Sequence, residues 1–402
     1  MFANPFSITI STRKFFMIIS LLLVLALTLV GSPMLFERLK FVNSFTRLYL
    51  GILALVFLAL GNKRFHYIDI LILFFVLGNF CIEFLWKSKV QNILSYLSII
   101  LVYALFFRLL KLEKVYQDLF LKMWVKLGYI ASFVFLSLFF LNQFTSINTD
   151  IFNLESLLDL SPNNFKFHLM GITLNKIYGS SIITRVYGFF VEPQYAGFYF
   201  TMNLLIACYI GKFRNKKLWV LMNLLAGTVT FSSTFFLSLI PISVLAFTGN
   251  NFRFVFYLML TIFSLFCIFE YENMKQMEIL NLTSFGDRED RIRGALVVLE
   301  KATQPDFYFG HGVDFQNTFG GKPFSAGFFV ALVERGLIGL LFVFIMIFCA
   351  IGKKYTAGII LLLYLLAAPL YVNYLFWISI LAIWAGAERG KELREKRILA
   401  NP

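Results

Sequence analysis

Charged side chains are scarce in this chain. Asp, Glu, Lys and Arg make up 14% of its 402 residues, whereas hydrophobic residues make up 59%. Soluble domains carry about a quarter charged residues, so the composition excludes an ordinary soluble protein. The apolar residues form continuous runs long enough to cross a bilayer, which favours helices over the alternating pattern of a barrel. The sequence therefore predicts an all-α, polytopic membrane protein with a single integral-membrane domain over residues 1–402.

Cysteine and histidine are also few, with four and three residues in the whole sequence. The cysteines lie within apolar runs at no paired or metal-like spacing, and no H-x-x-H or Asp-rich cluster occurs. We therefore expect no disulfide, metal site or cofactor. Walker A, G-x-G-x-x-G and G-x-S-x-G motifs are absent too, so nothing in the sequence supports ATP-driven transport or serine hydrolysis.

About twelve transmembrane helices are predicted from the apolar runs. The blocks 218–248 and 356–386 are each too long for one span of about 20 residues. We divide each block into a hairpin, with turns near Phe231–Thr234 and near Pro369. The predicted spans are 15–34, 45–61, 67–86, 93–110, 124–144, 189–210, 218–231, 234–248, 252–270, 327–351, 356–369 and 373–386.

The net charge of +14 is better explained by the orientation of these spans than by binding to nucleic acid. With both termini in the cytoplasm, most lysines and arginines outside the long loops fall on the cytoplasmic side, as the positive-inside rule requires. Two long loops, 142–188 and 271–326, then face outwards and are expected to contain short helices, one of them the amphipathic stretch Ile151–Leu160. Residues 387–402 form a cytoplasmic tail with a solvated helix end.

The first group of candidate site residues ends the first outer loop, in the sequence RVYGFFVEP from Arg185 to Pro193. Pro193 suits the first position of a helix because the N–H it lacks is not needed there. Glu192 would then lie at the positive end of the helix dipole, and Gly188 would let a ligand or backbone approach closely. An ion pair that ends a helix at the membrane boundary is the alternative, and the local sequence leaves both open.

The second group lies in the second outer loop. Arg288 and Arg291 share one face of a predicted helix, whereas Arg293 points elsewhere. A guanidinium group binds phosphate through two parallel hydrogen bonds, so arginines above a membrane suggest an anionic lipid head group such as a diphosphate. A loop helix held by salt bridges to its acidic neighbours is the alternative. His311 follows, in a tight turn between two glycines that we expect to be exposed.

Together these motifs resemble the bacterial O-antigen polymerase and ligase superfamily, the Wzy-type membrane enzymes. The resemblance rests on R-x-x-G-x-x-x-E-P at Arg185–Pro193, on Pro305 followed by Gly310-His311-Gly312, and on E-R-G-L-I-G at Glu334–Gly339. It covers roughly residues 180–351 by motif and the whole chain by topology.

The resemblance implies glycosyl transfer on the periplasmic face of the bacterial inner membrane. A polymerase of this family moves a growing glycan from undecaprenyl diphosphate onto a new lipid-linked repeat unit, building O-antigen or capsule, and a chain-length regulator is the expected protein partner. Ligases instead transfer the finished glycan to lipid A core, and they carry a histidine about eleven residues before the glycine that matches Gly336. Ser325 stands at that position here, which favours a polymerase.

The resemblance also implies roles for individual residues. Arginines at 185 and at 288 or 291 would stabilise negative charge on the departing diphosphate. Glu192 is the first candidate for the general base and His311 the second. The residues expected to line the substrate site are Gly188, Pro193, Arg293, Gly310, Gly312, Ser325 and Glu334. The alternative from a different class is a flippase for lipid-linked oligosaccharides, which would place charges deep within its spans rather than in loops and at span ends.

Overall fold

The structure is a computed structural model that describes about half of the chain. The described residues are 110, 114–144, 165–168, 171–178, 181–190, 193–210, 213–248, 293–312, 315, 327–351, 354–367 and 374–400. The first three predicted spans, the fourth except for its last residue, the span at 252–270 and the amphipathic stretch Ile151–Leu160 lie outside these residues.

Within the described residues the chain is mostly helical, with one small sheet. A further helical segment covers 293–300. The helices are α1 (Lys114–Phe144), α2 (Pro193–Tyr209), α3 (Lys216–Thr228), α4 (Ser233–Thr248), α5 (Gln304–Phe309), α6 (Gly327–Ile351), α7 (Tyr355–Ala367) and α8 (Tyr374–Ala400). The strands are β1 (Phe165–His168), β2 (Gly171–Tyr178) and β3 (Ser181–Gly188).

Two helices are long and apolar enough to cross a membrane, judged by length and composition. They are Gln117–Phe144 within α1 and Gly327–Ile345 within α6. The apolar parts of α4 and α7 are shorter than the helix of about 20 residues that a bilayer requires. The described helices therefore support two of the twelve predicted spans.

The first predicted hairpin turns where the sequence indicates. α3 ends at Thr228 and α4 begins at Ser233, and between them Phe231 takes a positive φ of 47°. The Thr230 hydroxyl donates to the Gly227 carbonyl oxygen at 2.6 Å, which closes the end of α3. The second predicted turn, near Pro369, lies outside the described residues, between α7, which is described to Ala367, and α8, which is described from Tyr374.

The three strands form an antiparallel sheet in the order β1-β2-β3, so the all-α prediction is wrong for this loop. Register pairs Leu174 of β2 with Phe165 of β1 and with Arg185 of β3. The physical reason is local, because the run S-I-I-T-R-V-Y of β3 is rich in β-branched residues that pack well on a pleated surface. Long apolar runs on both sides obscured this short signal.

The core is centred on α2, whose residues from Tyr195 to Ala207 are all buried. A helix buried on every side needs partners for its polar groups. Asn203 receives a hydrogen bond from Trp124 Nε1 on α1 at 2.7 Å and donates to Asn223 Oδ1 on α3 at 2.6 Å. Asn223 in turn donates to the Trp219 carbonyl oxygen at 2.7 Å. This polar ladder fixes three helices against one another.

One end of the bundle gathers basic residues, and we call it the basic end. Lys114 at the start of α1 pairs with Glu392 of α8 at 2.8 Å, and Arg389 pairs with Asp118 at 2.6 Å. The predicted tail is therefore helical, as an extension of α8, and lies beside the start of α1. Lys216, at the first residue of α3, belongs to the same end, because it lies near Cys208 in the last turn of α2. A Cβ atom added to Gly386 of α8 would meet Ile206 and Ile210 in that part of the chain.

The opposite end of α3 carries the turn at 229–232, and we call it the hairpin end. Val186 of β3 donates its backbone N–H to the Val229 carbonyl oxygen at 3.1 Å. The backbone N–H of Thr184, also on β3, donates to the Gln143 side chain near the end of α1. The sheet therefore packs at the hairpin end of α1 and α3.

Candidate functional site

Arg185 lies on β3 with its guanidinium group against the turn between α3 and α4. Its Nη2 donates to the Phe231 carbonyl oxygen at 2.9 Å, and its Nε lies 3.4 Å from the Thr230 carbonyl oxygen. Carbonyls beyond the end of a helix lack intrahelical partners, and a cation satisfies them well. Arg185 therefore fixes the hairpin turn and places a positive charge at the hairpin end of the bundle.

Gly188 ends β3 with a positive φ of 57°. A Cβ atom added there would overlap the ring of Phe135 on α1. The close approach at Gly188 is thus made by an aromatic ring of the core. Both the backbone conformation and this contact require glycine.

Pro193 is the first residue of α2, as its sequence position predicts. Arg293 is exposed at the start of the helical segment 293–300. Four other predicted site residues lie outside the described part of the chain: Glu192, Arg288, Arg291 and Ser325.

The turn Gly310–Gly312 docks against a break in α6. Helix α6 departs from helical geometry at Gly336, where φ is 67° and ψ is −177°. Such a break frees carbonyl oxygens one turn earlier, and in an apolar setting they need new donors. The backbone N–H of His311 donates to the Val333 carbonyl oxygen at 2.8 Å, and that of Gly312 donates to the Glu334 carbonyl oxygen at 3.0 Å. We call this arrangement the α5–α6 joint.

The α5–α6 joint buries residues that the sequence placed on the surface. Gly310 and Gly312 are buried and His311 is partly buried, so the expectation of an exposed turn is wrong. Glu334 and its neighbour Arg335 are also buried, with 8% and 6% of their surfaces exposed. The reason is that the turn supplies backbone donors to α6 and must approach it closely.

His311 faces a carboxylate within the joint. Its Nδ1 lies 3.6 Å from Asp306 Oδ1, and its ring stacks on Phe315 with centroids 4.5 Å apart. Asp306 is itself held, because the Thr303 hydroxyl donates to its Oδ2 at 2.6 Å. A carboxylate that orients an imidazole is a common arrangement in acid–base chemistry.

Sequence reasoning missed Thr303 and Asp306, although a signal was present. Thr303 is the N-cap of α5, and its hydroxyl oxygen also accepts from the Asp306 backbone N–H at 3.4 Å. The run T-Q-P-D has the spacing of a capping box, with Asp in the place of the usual Glu. Such a box predicts a short helix that begins after Thr303 and carries a carboxylate five residues before His311.

Apart from Arg293, the described site residues fall into two groups in the structure. Gly310, His311, Gly312 and Glu334 meet at the α5–α6 joint, whereas Arg185, Gly188 and Pro193 follow one another where β3 leads into α2.

Helix α6 rises about 22 Å from its break to its end at 1.5 Å per residue, and at that end Lys354 Nζ donates to the Ile351 carbonyl oxygen. Burial lowers the pKa of Lys354, and the carboxylate of Glu388 on α8 opposes that change. Lys354 therefore lies near Glu388, at the basic end. Both groups therefore lie away from the basic end.

Among the described residues, no three His, Cys, Asp or Glu side chains gather in a way that could hold a metal ion. Comparison with known proteins adds no relative. No family model, no curated protein and no solved structure matches this chain. A functional assignment must therefore be argued from the residues and geometry of the chain itself.

Proposed function

We propose that this protein is a polysaccharide polymerase of the bacterial inner membrane, akin to the Wzy-type enzymes that its motifs resemble. It joins undecaprenyl-diphosphate-linked oligosaccharides into a surface polysaccharide, O-antigen or capsule, by glycosyl transfer on the periplasmic face. The arrangement of about twelve spans with both termini in the cytoplasm is part of this proposal.

The observation that carries the proposal is the position of the Arg185 guanidinium group. It is fixed at the tip of the hairpin formed by the apolar helices α3 and α4, through Thr230 and Phe231. A cation at the end of apolar helices lies at the level where lipid head groups begin, and a guanidinium group matches phosphate geometry. An anionic head group such as a lipid diphosphate is therefore the ligand that this position favours.

The basic end supports the orientation. Lysines and arginines near span ends favour the cytoplasmic side, and Lys114, Lys216 and Arg389 lie at the basic end. As part of the proposal, we therefore place the basic end in the cytoplasm. Arg185 and the α5–α6 joint, which lie away from that end, then face the periplasm, where the lipid-linked repeat units are joined.

The chemistry follows from charge. A hydroxyl oxygen of the acceptor sugar attacks the anomeric carbon of the donor, the bond from that carbon to the diphosphate oxygen breaks, and the diphosphate departs with the electron pair. Arg185, with Arg288 or Arg291, stabilises that negative charge. The hydroxyl proton passes to a general base, either Glu192 or His311, and Asp306 would hold the imidazole of His311 in a fixed orientation.

Deletion of the gene, followed by gel analysis of surface polysaccharide and of lipid-linked intermediates, tests the reaction type. Loss of a polymerase leaves a single repeat unit on the acceptor. Long chains that remain on the lipid carrier would indicate a ligase instead. Repeat units retained on the cytoplasmic face would indicate a flippase and would contradict the proposal.

Complementation with Arg185→Lys tests the role of the guanidinium group. Lysine keeps the charge but loses the planar fork, so we expect polymerisation to fall by roughly tenfold or more, in line with a lost charged hydrogen bond. Arg214→Lys is the matched control, because Arg214 is exposed in the loop before α3. Full polymerisation by the Arg185→Lys protein would exclude bidentate binding of phosphate by a guanidinium group at this position.

A further inference from the structure

Two hydroxyl groups lie buried at the start of α4 without a hydrogen-bond partner. The side chains of Ser232 and Thr234 belong to residues that are 1% and 3% exposed, and neither hydroxyl oxygen has a hydrogen-bond partner among the described residues. Ser232 directly precedes α4, where a serine normally accepts from a backbone N–H of the first turn. A buried hydroxyl that makes no bond costs free energy, and its retention calls for an explanation such as a ligand.

The first turns of α2 lie against the same place. Gly197 is the fifth residue of α2, and a Cβ atom added there would be 3.0 Å from Ser232 Oγ. The Ser232 side chain therefore packs against the first turns of α2, next to the N-terminus of α4. Gln194, one turn earlier on α2, has a buried side-chain oxygen that also makes no hydrogen bond. Rotation of this amide would present its NH₂ group as a donor instead.

The charge at this place is positive. Each helix N-terminus carries about half a positive charge and unpaired N–H groups that favour anions. Arg185 adds a full positive charge close to Ser232. Its Nη2 donates to the carbonyl oxygen of Phe231, the residue before Ser232. Two helix N-termini, the unbonded Ser232 hydroxyl and the Arg185 guanidinium group therefore lie close together, and Thr234 follows two residues further along the chain.

We infer that the facing N-termini of α2 and α4 form a binding site for a phosphate-type anion, with Ser232 and Thr234 as hydrogen-bond donors and Arg185 at its edge. Tetrahedral phosphate oxygens accept several hydrogen bonds from different directions, which suits donors arriving from two helices. In its application to the lipid-linked donor, this inference rests on the proposed function. There it assigns the residues that hold the diphosphate, and anion binding itself can be measured without any transferase activity.

The test uses the full-length protein in lipid nanodiscs, titrated calorimetrically with inorganic pyrophosphate and, separately, with a short-chain prenyl diphosphate. We expect saturable binding to the unmodified protein. Ser232→Ala combined with Thr234→Val should weaken it by about tenfold or more, since hydrogen bonds to charged groups are the stronger class. Gly197→Ala should also weaken binding, because its methyl group would reach toward Ser232 Oγ. Ser379→Ala is the matched control, since Ser379 on α8 is likewise buried with no partner for its hydroxyl.

Equal affinity for both probes would support a site for the free anion, and tighter binding of the prenyl diphosphate would support a lipid head group. The inference is overturned if neither probe binds saturably, or if the Ser232/Thr234 double variant, shown to be folded by its unfolding temperature, binds as tightly as the Ser379→Ala protein. Pyrophosphate binding that depends on Ser232, together with normal polymer in the deletion strain, would refute the proposed function but leave the site standing. Loss of polymer in the deletion strain, with no saturable anion binding by the purified protein, would support the proposed function and refute the anion site.

Discussion

Gly310 and Gly336 lie face to face across the α5–α6 joint, with backbone in contact on both sides. A Cβ atom added to Gly336 would be 2.5 Å from the backbone nitrogen of Gly310, and one added to Gly310 would be 2.5 Å from the backbone nitrogen of Arg335. Both glycines have positive φ, 80° and 67° respectively. The three atoms nearest to each added Cβ all belong to the backbone and cannot move aside as a side chain would, so any larger residue at either position would strain the joint.

Gly336→Ala is therefore expected to open the joint. Alanine there is strained by its positive φ and would press against the backbone of α5, so we expect a loss of about 2 kcal/mol or more in the free energy of unfolding. Thermal unfolding of the purified protein in detergent measures the effect. Hydrogen exchange should become faster at the backbone N–H groups of His311 and Gly312, because these groups would lose their hydrogen bonds to α6.

Gly358→Ala is the control for that experiment. Gly358 lies within α7, and a Cβ atom there would meet nothing within 4 Å. Alanine in a helix is favoured over glycine by about 0.5–1 kcal/mol, so this variant should be as stable as the unmodified protein or slightly more so. Equal stability of the two alanine variants would show that the joint does not depend on the close contact at Gly336.

The polar ladder of the core predicts coupled effects. Trp124→Phe removes the donor to Asn203, and Asn203→Ala removes both the acceptor for Trp124 and the donor to Asn223. Because the two residues share one hydrogen bond, the double variant should be less destabilised than the sum of the single variants. Interhelical bonds of this kind contribute about 0.6–1.7 kcal/mol in membrane proteins, which sets the expected coupling.

A double-mutant cycle on the unfolding free energy measures this coupling. The comparison cycle pairs Trp124→Phe with Ser379→Ala, for which the structure gives no shared hydrogen bond, and should give additive effects within about 0.5 kcal/mol. Additive effects in the Trp124–Asn203 cycle would mean that their hydrogen bond adds nothing measurable to stability.

The helices were the predictable part of the fold. Hydropathy alone placed α6, whose predicted limits agree with the observed helix Gly327–Ile351, because a long apolar run has few other ways to satisfy its backbone. The same reasoning located the turn between α3 and α4. It could not reveal the break at Gly336, since breaking α6 there depends on backbone donors brought by the turn Gly310–Gly312 from elsewhere in the chain.

The candidate site was predictable only as a set of residue types. The sequence singled out Arg185 and Gly188, but not that Arg185 bonds to two carbonyl oxygens or that Gly188 packs on Phe135. These contacts join residues more than forty positions apart and arise from the sheet, which apolar periodicity did not indicate. The sequence also does not show that the Ser232 hydroxyl lacks a hydrogen-bond partner, because a serine before a helix normally caps it.

Gly188 supports a third prediction. Gly188→Ala would bring a methyl group into the ring of Phe135 at a backbone φ of 57°, so we expect destabilisation by about 2–3 kcal/mol. Adding Phe135→Leu should recover only part of this, because the smaller side chain relieves the overlap but not the backbone strain. Unfolding temperatures of the single and double variants separate the two contributions. Full recovery in the double variant would show that φ at this position costs nothing.

Lys216 supports a prediction on pH dependence. Burial lowers the pKa of Lys216 below its ordinary value of 10.5, because the partly buried ammonium group loses hydration. Between the lowered value and 10.5 the unfolded chain binds more protons than the folded protein, so the free energy of unfolding rises with pH across that window. Below the window the lysine is charged in both states, and its burial is a cost to folding.

Lys216→Met should remove both the rise of stability with pH and the cost of burying a charged lysine. We expect the variant to be more stable than the unmodified protein at pH 7, and the difference to shrink as the pH rises toward 10.5. Lys217→Met is the matched control, because Lys217 is exposed beside it and its loss should change little at any pH. Unfolding temperatures of the three proteins between pH 7 and about pH 10.5 provide the measurement. A pH-independent difference between the Lys216→Met and unmodified proteins would mean that desolvation of this ammonium group does not contribute to stability.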